Sequence, residues 1–194
     1  MTRIAAVLVR QAMAQAAPAG TDPRAFLEAI AEDTYEMVAD LELVTPVLVT
    51  SVPGLDDLVW PGTEIIAIAE DEPLKSVMGR LKGDQAVVIN ADAPDLPPLL
   101  VGKLFRELGR AQITVCPSEY GGAVALACGL PMPAWADPDL NDPDIVATLR
   151  AQAPGHRMVA TGPGWHRLRT TEDVARLDHG LEGWENTRAL LTTH

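Results

Sequence analysis

Apolar residues in this chain fall into two kinds of segment. Short unbroken runs at Ile4–Val9, Pro46–Thr50, Glu64–Ala69, Gln85–Ala91, Ile113–Cys116, Ala123–Cys128 and Arg157–Ala160 are too short for typical helices, and they read as strands. Between them the spacing is helical. Arg24–Leu41 places Phe26, Leu27, Ile30, Tyr35, Met37 and Val38 on helical positions, behind a start signal at Thr21-Asp22-Pro23. Helices are also predicted at Glu70–Gly83 around Leu74, Val77, Met78 and Leu81, at Leu99–Leu108, at Asp144–Gln152, at Val174–Leu177 and at Leu181–Leu191. Helical turns are predicted within Arg10–Pro23 and at Leu55–Val59. The alternation predicts βαβ units and an α/β fold. It would be a three-layer α/β/α domain over residues 1–194, with a mainly parallel, mixed sheet and helices on both faces. After Gly121 the order is less regular, and at least one antiparallel strand is expected there.

One junction organises the rest. The apolar run ending at Asn90 gives way to Ala91-Asp92-Ala93-Pro94-Asp95, then to Pro97-Pro98 and an amphipathic run. Asp92 therefore sits where a central strand has stopped and a helix has not begun. Open α/β sheets bind ligands in that place, beyond the carboxyl ends of their strands. A turn or helix-capping aspartate fits the local pattern equally well.

Composition narrows the function. Apolar residues make up 47% of the 194 positions, which argues against disorder, and aromatics only 4%, so the core rests on Val, Leu, Ile and Ala. A net charge of -12 argues against nonspecific binding to nucleic acid or to an acidic membrane surface. It leaves room for a phosphorylated ligand held by a metal or a local arginine cluster. The two cysteines, Cys116 and Cys128, lie in apolar runs outside any zinc pattern, so they read as buried free thiols in a reducing, cytoplasmic setting. The N-terminal IAAVLV run is too short for a signal sequence or a membrane span.

No GxSxG, HExxH, Walker lysine or GxGxxG pattern occurs. The four histidines, His156, His166, His179 and His194, are not at ligand spacing and read as surface or loop residues. GPGWHR, from Gly162 to Arg167, reads as a turn packed on its Trp. The proline-rich acidic loop Pro131–Pro143 lacks the ligand order and central glycine of a calcium loop, and reads as solvated; a lid over a cleft is the other reading.

Taken in order, the segments resemble the bacterial glycosyltransferase-related proteins of GT-A (nucleotide-diphospho-sugar transferase) fold. More distantly they resemble nucleotidyltransferases of cofactor biosynthesis such as phospholactate guanylyltransferase. VVINADAPDLPPLL (Val87–Leu100) is similar to the family's strand and "SDxPDLP" segment. CPSEYGGAVAL (Cys116–Leu126) is similar to "GPxxDGGYxLxGL". LRTTEDVARL (Leu168–Leu177) sits at its "DIDTPEDL"-like ending. The resemblance implies that Asp92 holds a divalent metal, Mg²⁺ or Mn²⁺, bridging nucleotide phosphates, with Asp95 as a second acid. It implies that Gly121 and Gly122 let the backbone approach the sugar or acceptor. The departures are as informative. The family's cationic phosphate loop here reads RQAMAQAAPAGTDPR, with Arg10 and Arg24 as its only cations. Tyr120 and Ala123 replace an acid and a tyrosine, and Arg167 and Arg169 stand where the family has the two acids of "DID".

Two functions remain open. One is a transferase that binds a nucleotide or nucleotide-sugar and moves a glycosyl or nucleotidyl group to a small acceptor. Asp92 would hold the metal, and Arg10, Arg24 and Arg80 would offset phosphate charge. The other is a degraded relative that keeps a pocket and acts as a binding or partner protein. Arg167 and Arg169 fit either: they supply a fixed, substrate-binding positive charge in place of a metal, or they mark lost metal chemistry, and as a plain pattern they read as surface arginines. Trp184 and the apolar face of the terminal helix fit a core or a homodimer interface alike.

Overall fold

A computed structural model describes residues 1–193. Seven strands form one sheet: β1 (Arg3–Val9), β2 (Thr45–Thr50), β3 (Glu64–Ala67), β4 (Gln85–Asn90), β5 (Ile113–Pro117), β6 (Ala123–Gly129) and β7 (Val159–Thr161), in the spatial order β3-β2-β1-β4-β6-β5-β7. β6 pairs antiparallel with β4 and β5, and every other pairing is parallel. The reversed strand is the one expected after Gly121.

The unbroken apolar runs follow from burial on both faces. Along β1, Ala5, Val7 and Val9 enter one core with α1 (Pro23–Ala39) and α3 (Pro98–Glu107). Ile4, Ala6 and Leu8 enter a second core on the opposite face with α2 (Leu74–Arg80) and α4 (Ile145–Gln152). The period of two along a strand distributes one sequence run between two helical layers. α5 (Glu185–Thr192) closes the first layer against α1. Buried Asp33 accepts from the backbone N–H of Asn186 (3.0 Å) and of Thr187 (2.7 Å) there. Trp184 is 3% exposed and belongs to that core, which settles its role as packing rather than interface.

Local chemistry places the element ends. Asp22 caps α1 by accepting from Ala25 N–H at 2.8 Å, with Pro23 in the first turn. The helix expected from Glu70 begins only at Leu74. Pro73 disfavours helical geometry in the residue before it, so Glu70–Glu72 form a turn instead. The terminal helix begins at Glu185 rather than Leu181, because Gly183 (φ 89°) and Trp184 (φ 48°) are left-handed. Short 3₁₀ segments at Gln11–Ala16, Asp56–Leu58 and Thr171–Arg176 replace the predicted turns and the short helix before Leu177. Among the described residues, no helix is long and apolar enough to cross a membrane.

Candidate functional site

From β1 the chain winds outward to β2 and β3, then returns to place β4 on the other side of β1. The direction of winding thus reverses between β1 and β4, whose ends align with Leu8 beside Asn90. At such a switch point the flanking connections leave to opposite sides and a crevice opens beyond the strand ends. A cleft of about 600 Å³ occupies that position, lined by Arg10, Glu70, Asn90, Asp92, Arg167 and Arg169 among others. The acidic loop forms a further wall through Asp137–Asn141. Its Ala136 and Leu140 are buried in the core, so it is an anchored cleft wall and not merely a solvated loop.

Asp92 is 2% exposed and reaches the cleft, but its carboxylate is already engaged. Arg167 donates from Nε to Oδ1 (2.9 Å) and from Nη2 to Oδ2 (2.9 Å), a bidentate pair between buried side chains. Arg167 Nη1 donates to Asn141 Oδ1 (2.9 Å) and to the Leu140 carbonyl (3.3 Å). The backbone carbonyl of Asp92 accepts from Leu168 N–H at 2.7 Å, which pins the two segments together. Asp92, Arg167 and Arg169 are thus brought to one cleft.

The other candidate residues are placed differently. Asp95 is 4% exposed and lies outside the cleft lining. Its carboxylate accepts from His166 Nε2 (2.8 and 2.9 Å), Trp165 Nε1 (3.1 Å) and Asp178 N–H (2.9 Å), so it clamps the late chain to the β4 junction. His166, read as a surface or loop residue, is buried in that clamp at 7% exposure; His194 lies outside the described residues. Gly121 and Gly122 (φ 98° and 79°) form the β5–β6 turn and do not line this cleft, and what crowds their Cα atoms is the chain itself. A Cβ on Gly122 would stand 2.7 Å from the Leu140 carbonyl oxygen, and one on Gly121 3.0 Å from Pro143. Arg24 lies away from the cleft, on Glu28 (2.6 Å) and the Pro53 carbonyl (2.9 Å). Arg80 is tied to the Ala67 carbonyl (2.7 Å) and to Glu72 (2.9 Å) and does not line the cleft. Arg10 does line it, with its guanidinium directed at the carbonyls of Ala69, Glu70 and Glu72.

Glu70 is the residue that pattern reading passes over. Its carboxylate accepts from the backbone N–H of Gln11 (2.9 Å) and Ala12 (3.1 Å), just after β1, and from the Ser51 hydroxyl, just after β2. Partial burial pushes its carboxyl upward. The Ser51 hydroxyl, the two N–H groups and the Arg10 charge outweigh that and hold it below the usual range. An internal anion therefore occupies the backbone donors that follow the first strand. Nothing in the Glu-Asp-Glu run signals this, because its partners lie 59, 58 and 19 residues upstream.

No protein-family model matches the chain, and no curated protein matches it by sequence. Solved structures match over nearly the whole length. A crystal structure from Desulfovibrio desulfuricans G20, provisionally assigned as a nucleotide-diphospho-sugar transferase, superposes with a TM-score of 0.69 at 16% identity. The match covers 100% of this chain and 98% of that one. The fold is that of the nucleotide-diphospho-sugar transferases. CMP:2-keto-3-deoxy-manno-octonic acid synthetase, in complex with CTP, matches with a TM-score of 0.57 at 13% identity over 100% of this chain and 99% of its own. A Mycobacterium tuberculosis H37Rv protein in complex with manganese matches with a TM-score of 0.57 at 13% identity, over 99% and 98%.

A divalent cation at Asp92 can be tested against the side chains themselves. Both carboxylate oxygens are taken by Arg167, whose charge is of the cation's own sign. Among the described residues no three His, Cys, Asp or Glu side chains converge as a ligand set. With Arg167 in place, the donor set around Asp92 does not fit Mg²⁺ or Mn²⁺, which need free oxygen ligands.

Proposed function

We propose that the cleft binds a nucleotide or nucleotide-sugar, and that the protein is a transferase moving a nucleotidyl or glycosyl group to a small acceptor. The observation that carries this reading is the position of the cleft. It lies beyond the carboxyl ends of β1 and β4, at the point where winding reverses, in a nucleotide-diphospho-sugar transferase fold. Its volume of about 600 Å³ lies in the range of small-molecule sites. In this reading the uncompensated positive charge opposite the phosphates comes from Arg169, beside the Arg167 guanidinium that Asp92 holds, with Arg10 adding its field at the β1 end. Fixed cations of this kind stabilise charge on a transferring phosphoryl group without reorganising at the moment of reaction. The buried thiols agree with a reducing, cytoplasmic setting.

Two observations favour a second reading, a binding or partner protein without turnover. Glu70 fills the backbone donors after β1, and Arg167 neutralises the acid after β4. A thermal-shift panel of nucleoside triphosphates and nucleotide-sugars tests the shared part, since a ligand of the native state raises its melting temperature. Release of pyrophosphate or nucleoside diphosphate in the presence of small acceptors separates the two. A melting shift with release supports the transferase, and a shift without release supports the binding protein. If no nucleotide shifts the transition, the ligand class is wrong.

A further inference from the structure

The mismatch between Asp92 and a metal ion leads to a specific assignment, which rests on the nucleotide reading above. Three arginines line the cleft, and they differ in how many donors they have left. Arg10 directs its guanidinium at three backbone carbonyls. Arg167 is buried, and its donors are directed to Asp92, Asn141 and Leu140. Arg169 is exposed, and among the described residues its guanidinium has neither a hydrogen-bond partner nor a carboxylate within ion-pair distance. Its backbone is nevertheless fixed. Arg169 N–H and Thr170 N–H donate to Asp173 at 2.9 and 2.8 Å, and Thr170 and Asp173 form a capping box. A methyl group on Gly122 would lie 3.6 Å from Arg167 Nη1 and 3.7 Å from Arg169 Nη1, so the two guanidinium groups converge on one point of the backbone.

We infer that Arg169, backed by Arg167, is the anion-binding pair of the cleft, and that it takes the ligand's phosphate with no divalent cation bound at Asp92. The rest of the lining agrees with this polarity. Asp71, Asp137 and Asp139 line the same cavity and repel phosphate, so an anion is drawn to the arginines of the lining and not to these carboxylates. Those carboxylates suit hydroxyl or amino donors on the sugar or base, with which they form charge-assisted hydrogen bonds. Asp92 then serves as a positioning residue. It fixes the Arg167 guanidinium at the cleft through its bidentate hydrogen bonds, while Arg169 keeps its own donors for the ligand.

The test titrates the full chain with each of the four common nucleoside triphosphates and with inorganic pyrophosphate. Melting temperature is read in EDTA and in Mg²⁺, for wild type, Arg169→Ala, Arg169→Lys and Asp92→Asn, with circular dichroism confirming the fold of each. The shift in EDTA should be at least as large as that in Mg²⁺. Arg169→Ala should weaken binding about tenfold, the loss of a hydrogen bond to a charged group. Arg169→Lys should restore part of the loss, and Asp92→Asn should still bind in EDTA. A shift that requires Mg²⁺ and disappears in Asp92→Asn would overturn the arginine assignment and leave the nucleotide reading standing. A pyrophosphate shift sensitive to Arg169, with none added by any nucleoside, would keep the anion pair and remove the nucleotide reading. A shift in EDTA that Arg169→Ala leaves unchanged would overturn the pair outright, as would no shift with any probe.

Discussion

Asp92 and Arg167, 75 residues apart, meet as a bidentate pair with Nε and Nη2 each 2.9 Å from a carboxylate oxygen. Both side chains are almost wholly buried, so each charge depends on the other for compensation. Breaking such a pair by removing one partner costs about 3–5 kcal/mol, because the remaining charge stays buried without a counter-charge. Arg167→Ala should therefore lower unfolding stability in urea by about that amount. Asp92→Asn keeps the shape and one acceptor but leaves the Arg167 guanidinium buried without its counter-charge, so it should destabilise as well. Together with the double variant these two close a cycle whose coupling energy isolates the pair. An Arg167→Ala cost within the ~0–1 kcal/mol of an exposed pair would show that the two residues do not form the clamp described here.

Gly122 reports on the same clamp from the opposite side. Its positive φ alone makes an alanine there unfavourable, and the added Cβ would also stand 2.7 Å from the Leu140 carbonyl oxygen. That carbonyl accepts from both Arg167 and Ala123 N–H. Gly20 supplies the control, with φ of 85° and nothing within 4 Å of an added Cβ. Gly20→Ala should cost about 1 kcal/mol from backbone strain alone, and Gly122→Ala should cost at least that much again. Equal melting temperatures for the two variants would mean that the loop carrying Leu140 yields freely and does not fix Arg167.

How much of this was readable in the chain depends on the range of each interaction. β4 and the stop at Asp92 were legible because an apolar run, a proline cluster and an amphipathic run are local patterns. Strand and helix alternation implied a mainly parallel sheet, but not the strand order, so the reversal of winding between β1 and β4 that makes this junction a cleft was not legible. The state of Asp92 was not legible. Arg167 was visible only as a replacement for an expected acid, and whether it met Asp92 or solvent depended on how Leu168 pairs with the Asp92 carbonyl. His166 shows the same limit, since a lone histidine in a glycine-rich turn carries no sign of Asp95, 71 residues earlier. One clue was present: His166 and Arg167 are neighbours, as their partners Asp95 and Asp92 nearly are, so one alignment of the two segments accounts for both contacts.

The cysteines give a prediction in the alkaline range. Burial pushes the thiols of Cys116 and Cys128 up to about 12, well above the ordinary value of 9.0. The thiolate is the reactive form, so a disulfide reagent near pH 8 should leave both untouched in the native protein and titrate two per chain once it is unfolded. The linkage has a definite sign. An acid whose folded pKa is raised is disfavoured in its charged form by folding, so the thiols subtract stability as pH climbs above 9.0 toward 12. Fast modification of either thiol in the native state at pH 8 would contradict the closed packing of β5 and β6.

Glu70 makes the opposite prediction on the acid side. Its carboxyl is held below the ordinary 4.5 despite the opposing push of partial burial. A depressed carboxylate contributes stability that is fully present above its unfolded pKa and is lost as pH falls through the folded one. Glu70→Ala should therefore destabilise the protein at neutral pH, by no more than about 1 kcal/mol because the group is exposed and solvent-screened. The gap from wild type should close as pH drops below 4.5. The same variant also uncovers the backbone N–H groups of Gln11 and Ala12, which are then free to take an anion other than the protein's own. Sulfate or phosphate should raise the melting temperature of Glu70→Ala more than that of wild type, and Glu70→Asp should fall between them. Identical anion responses in all three would mean that the loop after β1 closes on itself once the carboxylate is gone, and that Glu70 does not stand in for a ligand there.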